Sequence, residues 1–171
     1  MKAISLEFFK LRRKGIFLIM TIFLLIEIAW LYIVISMSIS RNPEYAKWEL
    51  IIVTLSSMNG LFLPILSAIC VSRISDMEHK GNTWKLLLSL SINPMDLYRA
   101  KYFIGSFIML WICVLQVVSI IVIGTINGFN DPVPLFLLFQ LFIGTALTNM
   151  VIIALQQWIS LAVKNQAFAL C

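Results

Sequence analysis

Residues 15–37 read GIFLIMTIFLLIEIAWLYIVISM, an apolar run in which Glu27 is the one charged residue. The hydrocarbon core of a bilayer takes roughly 20 apolar helical residues at about 1.5 Å each, and this run is long enough to cross it. Lys10, Arg12, Arg13 and Lys14 precede it, and Ser36-Met37-Ser38 loosely resembles a small-x-small cleavage site. A secretory signal has an apolar region of only about 7–15 residues, so the run reads as a retained first span.

Three further apolar runs follow. The spans are placed at about residues 15–39, 48–71, 102–126 and 135–163, with polar stretches at 40–47 and 127–134 and a long loop at 72–101. With 61% of the 171 residues hydrophobic and 12% charged, a water-soluble fold of this size has no interior large enough to hide the apolar surface. The expected fold class is all-α: a polytopic transmembrane helix bundle of about four spans, forming a single transmembrane domain over residues 1–171. Cys70, Cys113 and Cys171 form no CxxC pattern and read as reduced thiols that pack as small apolar residues.

A formal charge of +5 raises the question of nucleic acid, but the basic residues flank the apolar runs, which ties them to topology and to membrane lipids. Lys2, Lys10, Arg12, Arg13 and Lys14 precede the first span; Arg73, Lys80, Lys85, Arg99 and Lys101 separate the second from the third; Lys164 follows the fourth. Arg41 and Lys47 alone lie in the first short loop, offset by Glu44 and Glu49, and the second short loop carries no basic residue. This asymmetry places both termini and the 72–101 loop in the cytoplasm. Trp30, Tyr32, Tyr45 and Trp48 then gather at the outer interface, and Trp84, Tyr98, Tyr102 and Trp158 at the inner one, as aromatic belts do.

Asn42-Pro43, Asn93-Pro94 and Asp131-Pro132 each stand shortly before an apolar run. An Asx side chain caps free backbone N–H groups and proline has none to satisfy, so the three pairs read as helix starts. The third helix is then expected to begin near Pro94, ahead of its membrane entry.

No catalytic constellation is visible. His79 has no nucleophile pattern or second histidine beside it, and the chain contains no G-x-x-x-x-G-K-[ST] phosphate loop, so any ATP that drives its work is bound by another subunit. The chain is therefore not expected to be an enzyme or to bind a cofactor or metal itself. Glu27 is the unusual residue, because an ionised carboxylate in mid-span costs a few kcal/mol or more unless paired or hydrated. It has two readings: part of a translocation or ion-coupling path, or a structural carboxyl hydrogen-bonded to an interior group such as Gln116, Gln140 or Asn149. Asn59, Gly60 and Pro64 interrupt the second span, and proline frees the Gly60 carbonyl, so a kink is expected that acts either as a hinge or as packing. Gly124-x-x-x-Gly128 and Gly144-x-x-x-Thr148 are spacings that allow close helix approach. Glu27, Asn59 and Pro64 are the translocation-path candidates.

The loop itself reads Asp76-Met77-Glu78-His79-Lys80-Gly81-Asn82-Thr83-Trp84-Lys85, followed by residues 86–91 as LLLSLS, then Asn93-Pro94 and Tyr98-Arg99-Ala100-Lys101. Asn82 or Thr83 is placed to cap a helix of about two turns, too short to span and too apolar to stand free in water. It lies either in the membrane surface or against a soluble subunit.

These features together resemble the membrane subunits of type-2 ABC transporters, especially the small permeases of lantibiotic and bacteriocin self-immunity exporters. The likeness rests on Leu6-Glu7-Phe8-Phe9-Lys10-Leu11-Arg12-Arg13 leading into the first span, on the Glu78 and Gly81-Asn82-Thr83-Trp84-Lys85-Leu86-Leu87 loop with Pro94, Tyr98 and Lys101 after it, and on Gln156-Gln157-Trp158-Ile159-Ser160-Leu161 with Lys164-Asn165. It covers nearly the whole chain. The resemblance implies an N-terminal elbow helix, coupling to an ATP-binding cassette subunit through Glu78, Gly81, Thr83, Trp84 and Lys85, and a second permease subunit as homo- or heterodimer. It also implies location in the bacterial plasma membrane, no nucleic-acid partner, and export of a peptide antibiotic or other amphipathic substrate with ATP on the partner. Members usually have six spans where four are visible here, and residues 167–171 read as the start of a further apolar helix, as in a piece of a longer permease or a split subunit.

Two other classes share some of these features. A proton-coupled small multidrug exporter also has four spans with a membrane glutamate in the first, the place of Glu27, but has no need of a roughly 30-residue cytoplasmic loop. A membrane anchor of a two-component sensor is the other, although no sensory domain is visible.

Overall fold

The computed structural model describes residues 15–79 and 94–162. The chain forms four long helices, α1 (Ile16–Arg41), α2 (Trp48–His79), α3 (Pro94–Ile126) and α4 (Leu135–Ala162), with a 3₁₀ turn at Pro43–Tyr45. Each contains an apolar segment of 25 to 29 residues, above the roughly 20 that a bilayer core requires. The expected all-helical bundle of four spans is the observed fold.

The ends of these helices adjust the boundaries read from sequence. Gly15 precedes α1 in the left-handed region at φ 62°. Asn42 does accept the Glu44 N–H at 3.1 Å, but the turn it caps is the 3₁₀ segment, and α2 begins only at Trp48. Pro94 opens α3 as expected. Asp131-Pro132 is not a helix start: α4 begins at Leu135, where Leu138 N–H bonds to the Pro134 carbonyl. The 72–101 stretch is also shorter as a loop than the polarity suggested, because α2 runs on to His79 and α3 has already begun at Pro94. Polar residues there extend two membrane helices beyond their apolar segments.

The helix α2 is continuous across Pro64. Ser67 donates its hydroxyl to the Pro64 carbonyl at 3.0 Å, and Gln156 of α4 donates Nε2 to the same oxygen at 3.0 Å. Proline removes one rung from the helical ladder, and here side chains from α2 and α4 hold the backbone at that point.

α2 and α3 pack against each other, and α1 and α4 each pack against both. Buried residues form two apolar clusters stacked along the bundle. One joins Met20 and Leu24 of α1 to Leu63 and Leu66 of α2, Ile108 and Ile112 of α3 and Ile153 of α4. The other joins Leu31 and Ile35 to Trp48 and Leu55, Ile120 and Leu138. Steps of three or four residues keep each series on one face of its helix. Between the clusters, those same faces present Glu27, Asn59 and Gln116, all buried.

At the end of α3, Gly128 takes φ 71°, Phe129 N–H bonds back to the Gly124 carbonyl at 3.1 Å and Gly128 N–H to Thr125 at 3.2 Å. That is the paired bonding of a Schellman ending. It turns Phe129 onto Trp48, with ring centroids 5.2 Å apart at 79°. Of the two glycines expected to allow close helix approach, Gly124 does so by admitting the Trp48 ring of α2 against the backbone of α3, whereas Gly128 lies past the end of α3 and supplies a left-handed turn.

Candidate functional site

The polar layer in mid-bundle is built from three helices. Gln116 of α3 donates Nε2 to both carboxyl oxygens of Glu27 at 3.0 Å and to Asn59 Oδ1 of α2 at 2.8 Å. Glu27 has no solvent exposure. Apolar clusters close the layer above and below, so these bonds form in a low-dielectric setting, where an unmet donor or acceptor is costly. Of the sequence-based partners for Glu27, Gln116 is the one observed. Asn149 instead donates Nδ2 to Cys113 Sγ at 3.3 Å, and Gln140 is exposed on α4.

Asn59 ends this chain of bonds with its amide nitrogen Nδ2 buried and without a partner. It lines a cavity of about 390 Å³ between α2 and α4, together with Ser56, Gly60, Gln140, Gly144 and Thr148. Two of the three translocation-path candidates, Glu27 and Asn59, thus belong to one hydrogen-bonded group, and Asn59 connects it to the cavity. Pro64 stands apart from them, half-buried against α4 and held by Gln156.

Sequence reading missed the cavity, because Gln140, Gly144 and Thr148 are spread over more than two turns of α4. The available signal was a polar and small-residue stripe at positions 140, 144 and 148, the four-residue spacing of one helix face. Farther along, Tyr98 and Tyr102 of α3 donate to the Ala154 and Met150 carbonyls at 3.3 Å, and Gln157 donates to the Tyr98 carbonyl at 2.9 Å. These bonds tie the start of α3 to the last turns of α4.

Of the residues expected to couple to an ATP-binding subunit, Gly81, Thr83, Trp84 and Lys85 lie outside the described residues; Glu78 lies in the last turn of α2. The N-terminal elbow also lies outside them. Among the described residues, no group of three or more His, Cys, Asp and Glu side chains is placed to hold a metal ion.

The sequence model of one protein family, described as ABC-2 family transporter protein, matches residues 3–171. No curated protein and no solved structure matches the chain.

Proposed function

Because this chain belongs to the ABC-2 transporter family, we propose that it is the membrane half of an ATP-driven exporter that moves an amphipathic substrate, of the lantibiotic or bacteriocin class, out of the bacterial plasma membrane. Family membership makes it a multi-pass membrane component of an ABC exporter that works with an ATP-binding cassette partner. The observation that carries this statement is the family match over nearly the full length of a four-span bundle.

The substrate class rests on the small-permease resemblance of residues 6–13, 78–87 and 156–165. In this reading two permease subunits share the transport path. The partner ATPase docks at the connection between α2 and α3, with Glu78, Gly81, Thr83, Trp84 and Lys85 as its contacts. Such a contact has a mechanical route into the bundle, since any push on that connection acts on the ends of the two helices that pack at the bundle's centre.

The proton-coupled alternative is less well supported. Glu27 is sealed, it is hydrogen-bonded to Gln116, and the neighbouring cavity is lined by Asn59. A carboxyl that exchanges protons with the aqueous phases in each cycle needs a path to them.

The test is co-expression with a cassette ATPase. Co-purification is expected from the wild-type chain and loss of it from a Trp84→Ala, Lys85→Ala variant; failure of the ATPase to associate with the wild-type chain removes the coupling assignment. Vesicles holding the complex are then expected to export a lantibiotic only with ATP. Export driven by a pH gradient without ATP would favour the alternative.

A further inference from the structure

Side-chain hydrogen bonds attach residues 150–157 of α4 to both α2 and α3, but unevenly. Toward α3, Tyr98 and Tyr102 donate their hydroxyls to the Ala154 and Met150 carbonyls, and Gln157 donates Nε2 to the Tyr98 carbonyl. Tyr98 and Tyr102 stand one turn apart on α3, as Ala154 and Met150 do on α4, so the two hydroxyls follow the antiparallel register of the pair. Asn149 adds a tie to Cys113 of the same helix. Toward α2 runs the bond from Gln156 to the Pro64 carbonyl.

The accepting carbonyls do not need these bonds. Each lies inside a helix, whose ladder supplies an N–H four residues on. A glutamine that served only the membrane surface would face it, whereas Gln157 is 2% exposed and turned onto α3. What directional bonds add to apolar contact is a fixed register, because sliding or rotating one helix against the other breaks them. The Tyr98 clasp is reciprocal, with that residue both donor and acceptor. The Gln156 joint is incomplete: its Oε1 is buried without a partner, and the Pro64 carbonyl also receives the Ser67 hydroxyl. α2 is itself weakest at this point, since proline leaves the Gly60 carbonyl without its ladder N–H. A force on the α2–α3 connection therefore finds α4 firmly held to α3 and loosely jointed to α2.

We propose that Tyr98, Tyr102 and Gln157 are positioning residues that make the start of α3 and residues 150–157 of α4 move as one body. They carry ATPase-driven movement of the α2–α3 connection into α4, which turns against α2 at the joint between Pro64 and Gln156. The inference rests on the exporter reading and deepens it by naming the route that movement takes beyond the docking contacts.

The experiment uses the full chain, with Cys171 replaced by serine, co-expressed with the cassette ATPase and reconstituted in phosphatidylcholine–phosphatidylglycerol vesicles. Nitroxides on Arg73→Cys and Leu155→Cys, both exposed positions, report the α2–α4 distance by pulsed electron resonance with and without ATP. ATP hydrolysis is measured on the same samples. The otherwise wild-type chain is expected to show an ATP-dependent shift of about 2 Å, the size of helix movements in switching proteins. The Tyr98→Phe, Gln157→Leu variant is expected to lose the shift while hydrolysis continues at the wild-type rate, whereas a merely structural role would lower both through loss of folded complex. Gln156→Leu cuts the joint alone and keeps the shift. Where the double variant does not assemble, Tyr98→Phe, which removes one hydroxyl and keeps the ring, decides by reducing the shift or leaving it unchanged. A shift that survives loss of the clasp, one abolished by Gln156→Leu, or none from the wild-type chain with ATPase bound overturns the proposal. Failure of the ATPase to bind the wild-type chain is a separate result, which removes the exporter reading and the coupling role together.

Discussion

The indole of Trp48, the first residue of α2, lies on the bare backbone of Gly124 near the end of α3. A Cβ at Gly124 would stand 3.0 Å from Cε3 of that ring and would overlap Cζ3 and Cη2. The same indole donates Nε1–H to the Asp131 carbonyl at 2.8 Å and meets Phe129 edge to face. One side chain therefore fixes the start of α2, the end of α3 and the turn into α4. Gly124→Ala is expected to push the ring off all three contacts and to destabilise the bundle by about 1–3 kcal/mol. Unfolding in mixed detergent, followed by circular dichroism, measures this. Trp48→Leu should recover part of the loss in the Gly124→Ala background, because the clash is removed; purely additive effects would contradict the contact.

Gln116 holds two acceptor side chains with one nitrogen, which makes it the critical member of the polar layer. Gln116→Leu leaves Glu27 without its donor in a closed interior and is expected to cost about 1–3 kcal/mol, the range for a buried polar group left without its hydrogen-bond partner. Glu27→Leu combined with Gln116→Leu should cost less than Gln116→Leu alone, since no carboxyl is then stranded. The double-mutant cycle, measured by the same unfolding assay, is expected to give a coupling above about 1 kcal/mol. Independent effects at the two positions would show that the layer does not act as a unit.

The spans were legible because a bilayer sets their length and polarity, and those are counted directly along the chain. The helix ends were less legible. Asp131-Pro132 has the composition of a helix start, yet its carbonyl serves the indole of Trp48, 83 residues away in sequence. Asn42-Pro43 made the same local promise and delivered a 3₁₀ turn. Glu27 was visible as a mid-span charge, and Gln116 could be offered only as one of three partners, because choosing among them requires the relative rotation of α1 and α3. Gly60 and Gly144 were legible as glycines, while their open surroundings exist only once α2 and α4 are packed.

Charge asymmetry makes a prediction about orientation. With Cys171 replaced by serine, the remaining cysteines, Cys70 and Cys113, are buried, so a single introduced cysteine reports its own side. In intact cells, Tyr45→Cys is expected to react with an impermeant maleimide, and Gly81→Cys only after permeabilisation. Tyr45 is exposed in the α1–α2 connection, which makes it a fair probe. The reverse labelling pattern would invert the topology and put the proposed ATPase contacts on the wrong side of the membrane.

Glu27→Gln separates the structural role of the carboxyl from a proton-carrying one. The replacement keeps the shape of the side chain and an oxygen that accepts from Gln116, and it adds an N–H within the same layer as the Asn59 oxygen. One of the two oxygens that accept from Gln116 is exchanged for a donor while the other is kept, so stability is expected to fall by only about 0.5–1.5 kcal/mol. ATP-driven export should stay within about twofold, because nothing in that cycle needs the proton of residue 27. Glu27→Leu, by contrast, removes both acceptors, leaves Gln116 with Asn59 alone and should lower stability by about 1–3 kcal/mol. A carboxyl that carries protons would give the opposite signature, a well-folded Glu27→Gln protein with no transport. Stability and export measured on the same preparation therefore tell the two roles apart.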